Sequence, residues 1–348
     1  MANRILVTGH KGYIGSVLTT RLIEAGYAVT GLDTGFFADC TLVPGPPVEH
    51  EIFKDIRDSS PWDLEGFDAL VHLAALSNDP LGDLNSAWTD DINHQASVLL
   101  AKHARQAGVG RFLFSSSCIM YGAANLTGEV AEDSALDPKT AYARSKVLAE
   151  QAISQLACPG FSPVFLRNGT IYGLSPRMRF DTVVNSLVGS AITTGRVTIY
   201  GDGKPWRPVV HIEDAASAIL TALQAPLERI HNQALNIGAP SLNHQILKLA
   251  EITASTVPGC ELECLARPDA DQRTYKTSFD KIARLLSEFQ PRWNACDGIR
   301  LLYEQFRDLP LSHAQFTDAR FTRLRWLRHL LGSGHLEKNL RWAEVLTQ

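Results

Sequence analysis

Tyr142 and Lys146 stand four residues apart in the run Tyr142-Ala143-Arg144-Ser145-Lys146. On a helix that spacing brings a phenol and an ammonium onto one face, where both side chains reach a common point. A phenol with a reference pKa of about 10 is a poor base at neutral pH, and a neighbouring cation favours its ionised form. A lone Tyr-x-x-x-Lys is usually a solvated helix face, so its meaning depends on its surroundings. Upstream, Ser115-Ser116-Ser117-Cys118-Ile119-Met120-Tyr121-Gly122 closes an apolar run that reads as a strand. A hydroxyl at the carboxyl end of a parallel strand is placed to hydrogen-bond a reacting alcohol.

A second group of residues handles phosphate. Thr8-Gly9-His10-Lys11-Gly12-Tyr13-Ile14-Gly15 follows the first strand-like run and opens a helical pattern. Of the glycines Gly9, Gly12 and Gly15, one permits the tight turn and another lets the backbone approach a pyrophosphate. The last lets helix and strand pack closely, and the helix N-terminus offers free N–H groups. Asp33 ends the next strand about 20 residues on, the place of a carboxylate that hydrogen-bonds an adenosine ribose. That favours NAD; the 2'-phosphate of NADP is repelled there, with Lys11 a partial offset. Asp55, with Ile56, follows the third strand, where it can accept from an adenine amino group.

These groups need a frame. Strand-like runs occupy Arg4–Thr8, Ala28–Leu32, Ala69–Ala74, Arg111–Ser116 and Pro163–Arg167, with helical patterns over Tyr13–Ala25, Ser86–Gln106 and Thr140–Leu156. Alternation of this kind predicts an α/β fold, a Rossmann-type doubly wound parallel sheet with a smaller C-terminal substrate-binding lobe. The expected division is residues 1–173 for the dinucleotide-binding domain and 174–311 for the lobe. A helix at Glu213–Leu223 and a strand at Ala234–Ile237 return to the main sheet from within 209–240. Residues 312–348 form a basic tail whose Arg320, Arg323, Arg325, Arg328 and Arg341 alternate with Phe316, Leu324, Leu327, Leu330 and Leu331. The pattern predicts an amphipathic helix, apolar stripe on the domain and arginines in water.

Composition narrows the partners. The chain has 348 residues, 45% of them hydrophobic, and a formal charge of −4. That charge gives no general attraction to nucleic acid or an acidic membrane, and no apolar run is long enough to cross a bilayer. Small metabolites in the cytoplasm are the expected setting. The six cysteines are too sparse for a disulfide scaffold, and Cys260 and Cys264 lack the second pair a zinc site needs, so no metal is expected.

Taken together, the chain resembles the extended short-chain dehydrogenase/reductases, especially the NAD-dependent nucleotide-sugar epimerases and dehydratases. The resemblance rests on the glycine loop, Asp55-Ile56, His72-Leu73-Ala74-Ala75, Asn93, Ser115–Gly122, Tyr142–Lys146, Leu166–Gly173 and Val210-His211-Ile212-Glu213-Asp214. It implies that Leu73, Ala74 and Ala75 line the cofactor with Asn93 and Ser115 nearby. It further implies that Lys146 holds the nicotinamide ribose, Tyr142 is the base and Ser117 orients the substrate hydroxyl. A nucleotide-diphosphate sugar is the implied substrate. Arg207 and Arg273 resemble the arginines that grip its diphosphate, and Ser77, Cys118, Thr170 and Arg179 complete the substrate set. A homodimer packed through helices near Asn93–Gln106 and Tyr142–Leu156 is the implied assembly.

Departures from the pattern bear on the reaction. Sugar 4,6-dehydratases carry an Asp-Glu pair where this chain has Cys118 and Ile119, and isoleucine cannot transfer a proton. Thr170 replaces the asparagine expected before the second Tyr-Gly. The reading carried forward is a 4-epimerase with a transient 4-keto sugar. The alternatives are a 4-keto reductase or sugar dehydrogenase, a dehydratase with unconventional acid and base, and a non-catalytic NAD-binding protein.

Overall fold

Short runs of Val, Ile, Leu and Phe without polar alternation form strands buried on both faces. The computed structural model describes residues 4–45, 47–122, 128–266 and 273–343. Its central sheet has seven parallel strands: β1 (Arg4–Thr8), β2 (Ala28–Asp33), β3 (His50–Phe53), β4 (Ala69–His72), β5 (Arg111–Ser117), β6 (Ser162–Asn168) and β7 (Gln233–Ile237). Their spatial order is β7-β6-β5-β4-β1-β2-β3. The chain winds one way from β1 to β3 and the other way from β4 to β7, so the crevice opens where β1 and β4 lie side by side.

Alternate side chains of each strand feed two cores. Ile5 and Val7 join Val17 and Leu18 of α1 (Tyr13–Glu24) on one face, while Leu6 points to the other. There it meets Leu100 of α2 (Ala96–Gln106) and Ala149 and Ile153 of α3 (Ala141–Ser154). From the later part of the chain, α4 (Ile212–Gln224) packs on α1, and β7 pairs with β6 from Gln233↔Val164 to Ile237↔Asn168. The stretch expected as one helix over Ser86–Gln106 is helical but not uniform. A π-helical turn at Asp90–Gln95 separates Ser86–Thr89 from α2, and such turns re-aim side chains.

The lobe contributes a three-stranded sheet of Thr170–Tyr172, Trp206–His211 and Asn243–Gln245, and a parallel pair of Arg196–Tyr200 with Glu261–Leu265. The helices Val183–Thr194, Ile246–Thr256 and Ala295–Asp308 cover them. Leu187, Leu249, Ile299 and Phe306 belong to the same buried cluster as Val7 and Leu166, so the core continues across residue 173.

The tail departs from expectation. It is not one helix but His313–Thr317, a 3-10 turn at Ala319–Phe321, and α5 (Arg323–Gly332). The break falls at Asp318, whose extended backbone and carboxylate cap the Arg320 N–H. Trp326, Leu327, Leu330, Leu336 and Leu340 then sink into the core under the α2–α3 side of the sheet. Arg323, expected in water, is 2% exposed; its guanidinium donates to the Arg177 and Arg320 carbonyls.

Candidate active site

The loop between β1 and α1 is shaped by what cannot be there. Gly9 has φ +75°, and a Cβ on it would stand 2.7 Å from Ala74 N; a Cβ on Gly15 would stand 2.2 Å from Gly9 O. Only glycine allows the loop to lie against Leu73 and Ala74 and α1 to pack over it. Gly12 caps α1 with no side-chain partner, leaving the first-turn N–H groups for an anion. Tyr13 turns its hydroxyl away, donating to Gly173 O at 2.7 Å and accepting from Asn185 Nδ2 at 2.9 Å.

At the end of β2, Asp33 accepts from Lys11 N at 3.0 Å and from Gly35 N at 2.7 Å. The Lys11 ammonium points elsewhere, paired with Glu51 at 2.7 Å. The offset that Lys11 was expected to give a 2'-phosphate is therefore already neutralised, leaving Asp33 as the dominant charge and favouring NAD. Asp55 and Ile56 line the next wall, with Asp55 bonded to Arg57 at 2.7 Å.

From this end a single cavity of 760 Å³ runs past Gly12, Ala74, Ala75 and Ser115 to Ser117, Tyr142 and Lys146, and on to Thr170, Arg179, Arg207 and Arg273. A glycine cradle, a carboxylate at the β2 end and a long continuous cleft fit an extended dinucleotide with room for a second ligand.

Lys146 is 3% exposed; its Nζ donates to Ser115 O at 2.7 Å and lies 5.9 Å from the centre of the Tyr142 ring. Burial draws its ammonium down to about 7. Burial pushes the Tyr142 phenol up to about 12; Asp79 adds to the rise, while Arg179 and a hydrogen bond with Ser117 work against it. Besides Lys146, which lies over the Tyr142 ring, the site brings a second cation to this phenol that the sequence did not point to, Arg179.

At the substrate end Arg179 donates through Nε to Asp181 at 2.8 Å and through Nη1 to Ser77 Oγ at 3.0 Å. Asp181 also accepts from Asn78 Nδ2 at 3.0 Å and Arg323 N at 3.1 Å. Arg273 pairs with Asp79, and Arg207 donates to the Arg273 carbonyl and lies 5.3 Å over the Tyr275 ring. The two arginines singled out for a diphosphate thus share one wall, joined across from the lobe to Asp79. Asp271 and Gln272, which precede Arg273, lie outside the described residues.

Two assignments are corrected. Asn93, expected at the cofactor, is fully buried behind the cavity. Its Oδ1 accepts from Leu76 N at 2.8 Å and its Nδ2 donates to Leu76 O at 3.0 Å, so it fixes the turn after β4. Cys118, expected at the substrate, is also fully buried; its thiol donates to Arg167 O at 3.2 Å. The chain turns into a 3-10 helix at Cys118–Tyr121, and it is Ile119 that faces the cavity. Sequence reasoning missed Asp79, Asp181 and Arg323. An Asn78-Asp79-Pro80 helix start was a readable signal for the first; nothing local marked the other two.

A glycine turn at the switch point of a parallel sheet, with Ser, Tyr and Lys gathered beside it, defines a dinucleotide-dependent enzyme of the short-chain dehydrogenase/reductase class. The chain belongs to the NAD dependent epimerase/dehydratase family, whose model matches residues 5–238, and its cofactor is NAD. It is 28% identical over 303 residues to the UDP-glucose 4-epimerase of Corynebacterium glutamicum, covering 80% of this chain and 88% of that one. The UDP-glucose 4-epimerase of Thermotoga maritima, solved with UDP-glucose, superposes with a TM-score of 0.75 at 25% identity, over 88% of this chain and 99% of that one. The dTDP-glucose 4,6-dehydratase DesIV of Streptomyces venezuelae, solved with NAD, gives 0.77 at 26% identity, over 88% and 97%.

Proposed function

We propose that this enzyme is a nucleotide-sugar 4-epimerase acting on a nucleoside-diphosphate hexose. The observation that carries the reading is that Ser117, Tyr142 and Lys146 share one cavity with both the glycine cradle and the Arg207–Arg273 wall. NAD, when bound, supplies reversible hydride exchange with the sugar carbon. Tyr142, as phenolate, takes the C4 hydroxyl proton and later returns it. Ser117 hydrogen-bonds the same hydroxyl, and Lys146, anchored on the Ser115 carbonyl, would hold the nicotinamide ribose. Arg207 and Arg273 hold the diphosphate as a dianion while the 4-keto sugar turns its other face. Proton and hydride both return to the sugar, so no cofactor is consumed. The apolar Ile119 at the cavity and the buried Cys118 leave this wall without the acid and base that elimination of water needs.

We read the enzyme as cytoplasmic, a reading that its six unpaired cysteines support. It is read as a homodimer through α2 and α3, on which Leu99 and Leu148 remain exposed. Incubation with UDP-, GDP-, CDP- and dTDP-hexoses without added cofactor tests the reaction. An isomer of unchanged mass is expected. Loss of water, or turnover only with added NAD(P)(H), overturns the reading.

A further inference from the structure

The tail reaches back to the adenosine end of the cavity. Trp342 donates its indole N–H to Thr34 O at 2.5 Å and tilts against Phe36, with ring centres 5.7 Å apart. Trp326 donates to Phe36 O at 2.7 Å, and the Arg323 guanidinium lies 4.7 Å over the Phe37 ring. On the facing wall, Arg57 grips Asp55 and donates to the carbonyls of Asn339 at 2.8 Å and Leu340 at 2.6 Å. Arg341 pairs with Asp58 and stands 3.4 Å from Asp55. Thr34, Phe36, Phe37 and Asp55 all line the cavity. Both walls beside Asp33 are therefore held by residues 323–342.

The backbone of this tail is held under strain to do so. Leu340 has φ +55°, a conformation that L-residues with large side chains rarely adopt, and its side chain is fully buried. The turn closes with Leu336 and Trp342 bridged antiparallel, which aims the Trp342 indole at Thr34. Strain of this kind persists only where surrounding contacts over-determine it.

We propose that residues 323–342 are a clasp for the adenosine half of the dinucleotide, with Trp342 a positioning residue that acts through Thr34 and Phe36. A loop already ordered by its clasp loses less freedom when the cofactor binds, so the clasp raises affinity and slows release. An epimerase that regenerates its cofactor at every turnover benefits from never letting it go.

The test compares Trp342→Ala and Trp342→Phe with the parent, and Trp62→Ala, an exposed tryptophan, as control. Dissociation constants for NAD, ADP-ribose, nicotinamide mononucleotide and UDP-glucose are measured by calorimetry, and NAD per chain by acid release from the purified protein. Trp342→Ala is expected to weaken NAD and ADP-ribose alike by about tenfold or more and to lower co-purified NAD. Trp342→Phe, which keeps a ring and loses one hydrogen bond, is expected to weaken them about threefold. Nicotinamide mononucleotide and UDP-glucose should bind within about twofold of the parent. If Trp342→Ala fails to fold, the Phe variant decides. NAD and ADP-ribose binding unchanged within twofold, or UDP-glucose weakened as much as NAD, overturns the clasp.

Discussion

Lys146 and Tyr142 share one face of α3, yet the ammonium turns to the Ser115 carbonyl at 2.7 Å and remains 5.9 Å from the centre of the phenol ring. The pair is therefore not a hydrogen-bonded couple. Each reaches the cavity separately, Lys146 against the carboxyl end of β5 and Tyr142 beside Ser117.

Tyr142→Phe removes the hydroxyl proposed as the proton acceptor and little else. Conversion of the nucleotide sugar should fall by roughly 10²–10⁴-fold, the usual worth of a positioned acid or base. The NAD dissociation constant should stay within about twofold, because the ring is retained. Product formation by mass spectrometry and NAD titration check the two halves; retention of parent activity would remove Tyr142 from the mechanism.

Lys146 carries a pH signature in stability. Its ammonium, at 10.5 in an ordinary lysine, is drawn down to about 7 by burial. Between those values the unfolded chain holds a proton that the folded chain does not, so this group makes stability rise with pH from about 7 towards 10. Below about 7 the full cost of a buried charge is present. Lys146→Met removes that cost and should raise the unfolding free energy most at pH 6, on the order of 2–5 kcal/mol, and progressively less by pH 10, with the thermal midpoint following the same trend. Melting curves across this range check it, and a gain independent of pH would contradict it.

Cofactor choice should follow the charges around β2. NAD is expected to bind at least about 100-fold more tightly than NADP, and Asp33→Ser should cut NAD affinity about tenfold while narrowing that ratio. Glu51→Gln, which releases the Lys11 ammonium, should improve NADP binding and leave NAD binding nearly unchanged. Titration of both cofactors against the three proteins separates these effects.

Cys118 lies outside the chemistry. Burial pushes its thiol up to about 12, and its partners, the Arg167 carbonyl and the Asn236 side chain, lie in the protein interior. Cys118→Ala should therefore leave kcat/KM within about twofold, and alkylating agents should spare Cys118 in the folded enzyme while reaching the exposed Cys264 and Cys296. Peptide mapping after alkylation gives the answer, and a tenfold loss of kcat/KM would return Cys118 to the site.

What the sequence determined by itself was whatever depends on local spacing. Gly9, Gly12 and Gly15 between a strand and a helix specify their turn because a Cβ has nowhere to go. The four-residue interval from Tyr142 to Lys146 specifies a shared helix face, and Asp33 is located by counting along a β-α-β unit. Apolar runs of strand length likewise announced the parallel sheet, including the return of β7. What only the tertiary structure decided was direction and company. Cys118 turns inward because the chain tightens into a 3-10 helix after β5. Asn93 serves the Leu76 turn because a π-helical segment carries it there. Trp326 and Trp342 come to the cofactor end from positions 290 and 308 residues beyond the loop they meet, as their neighbours Leu327 and Leu340 are buried in the core beneath the sheet. No periodicity encodes such distant partners; they are selected by which surfaces remain uncovered once the sheet has formed.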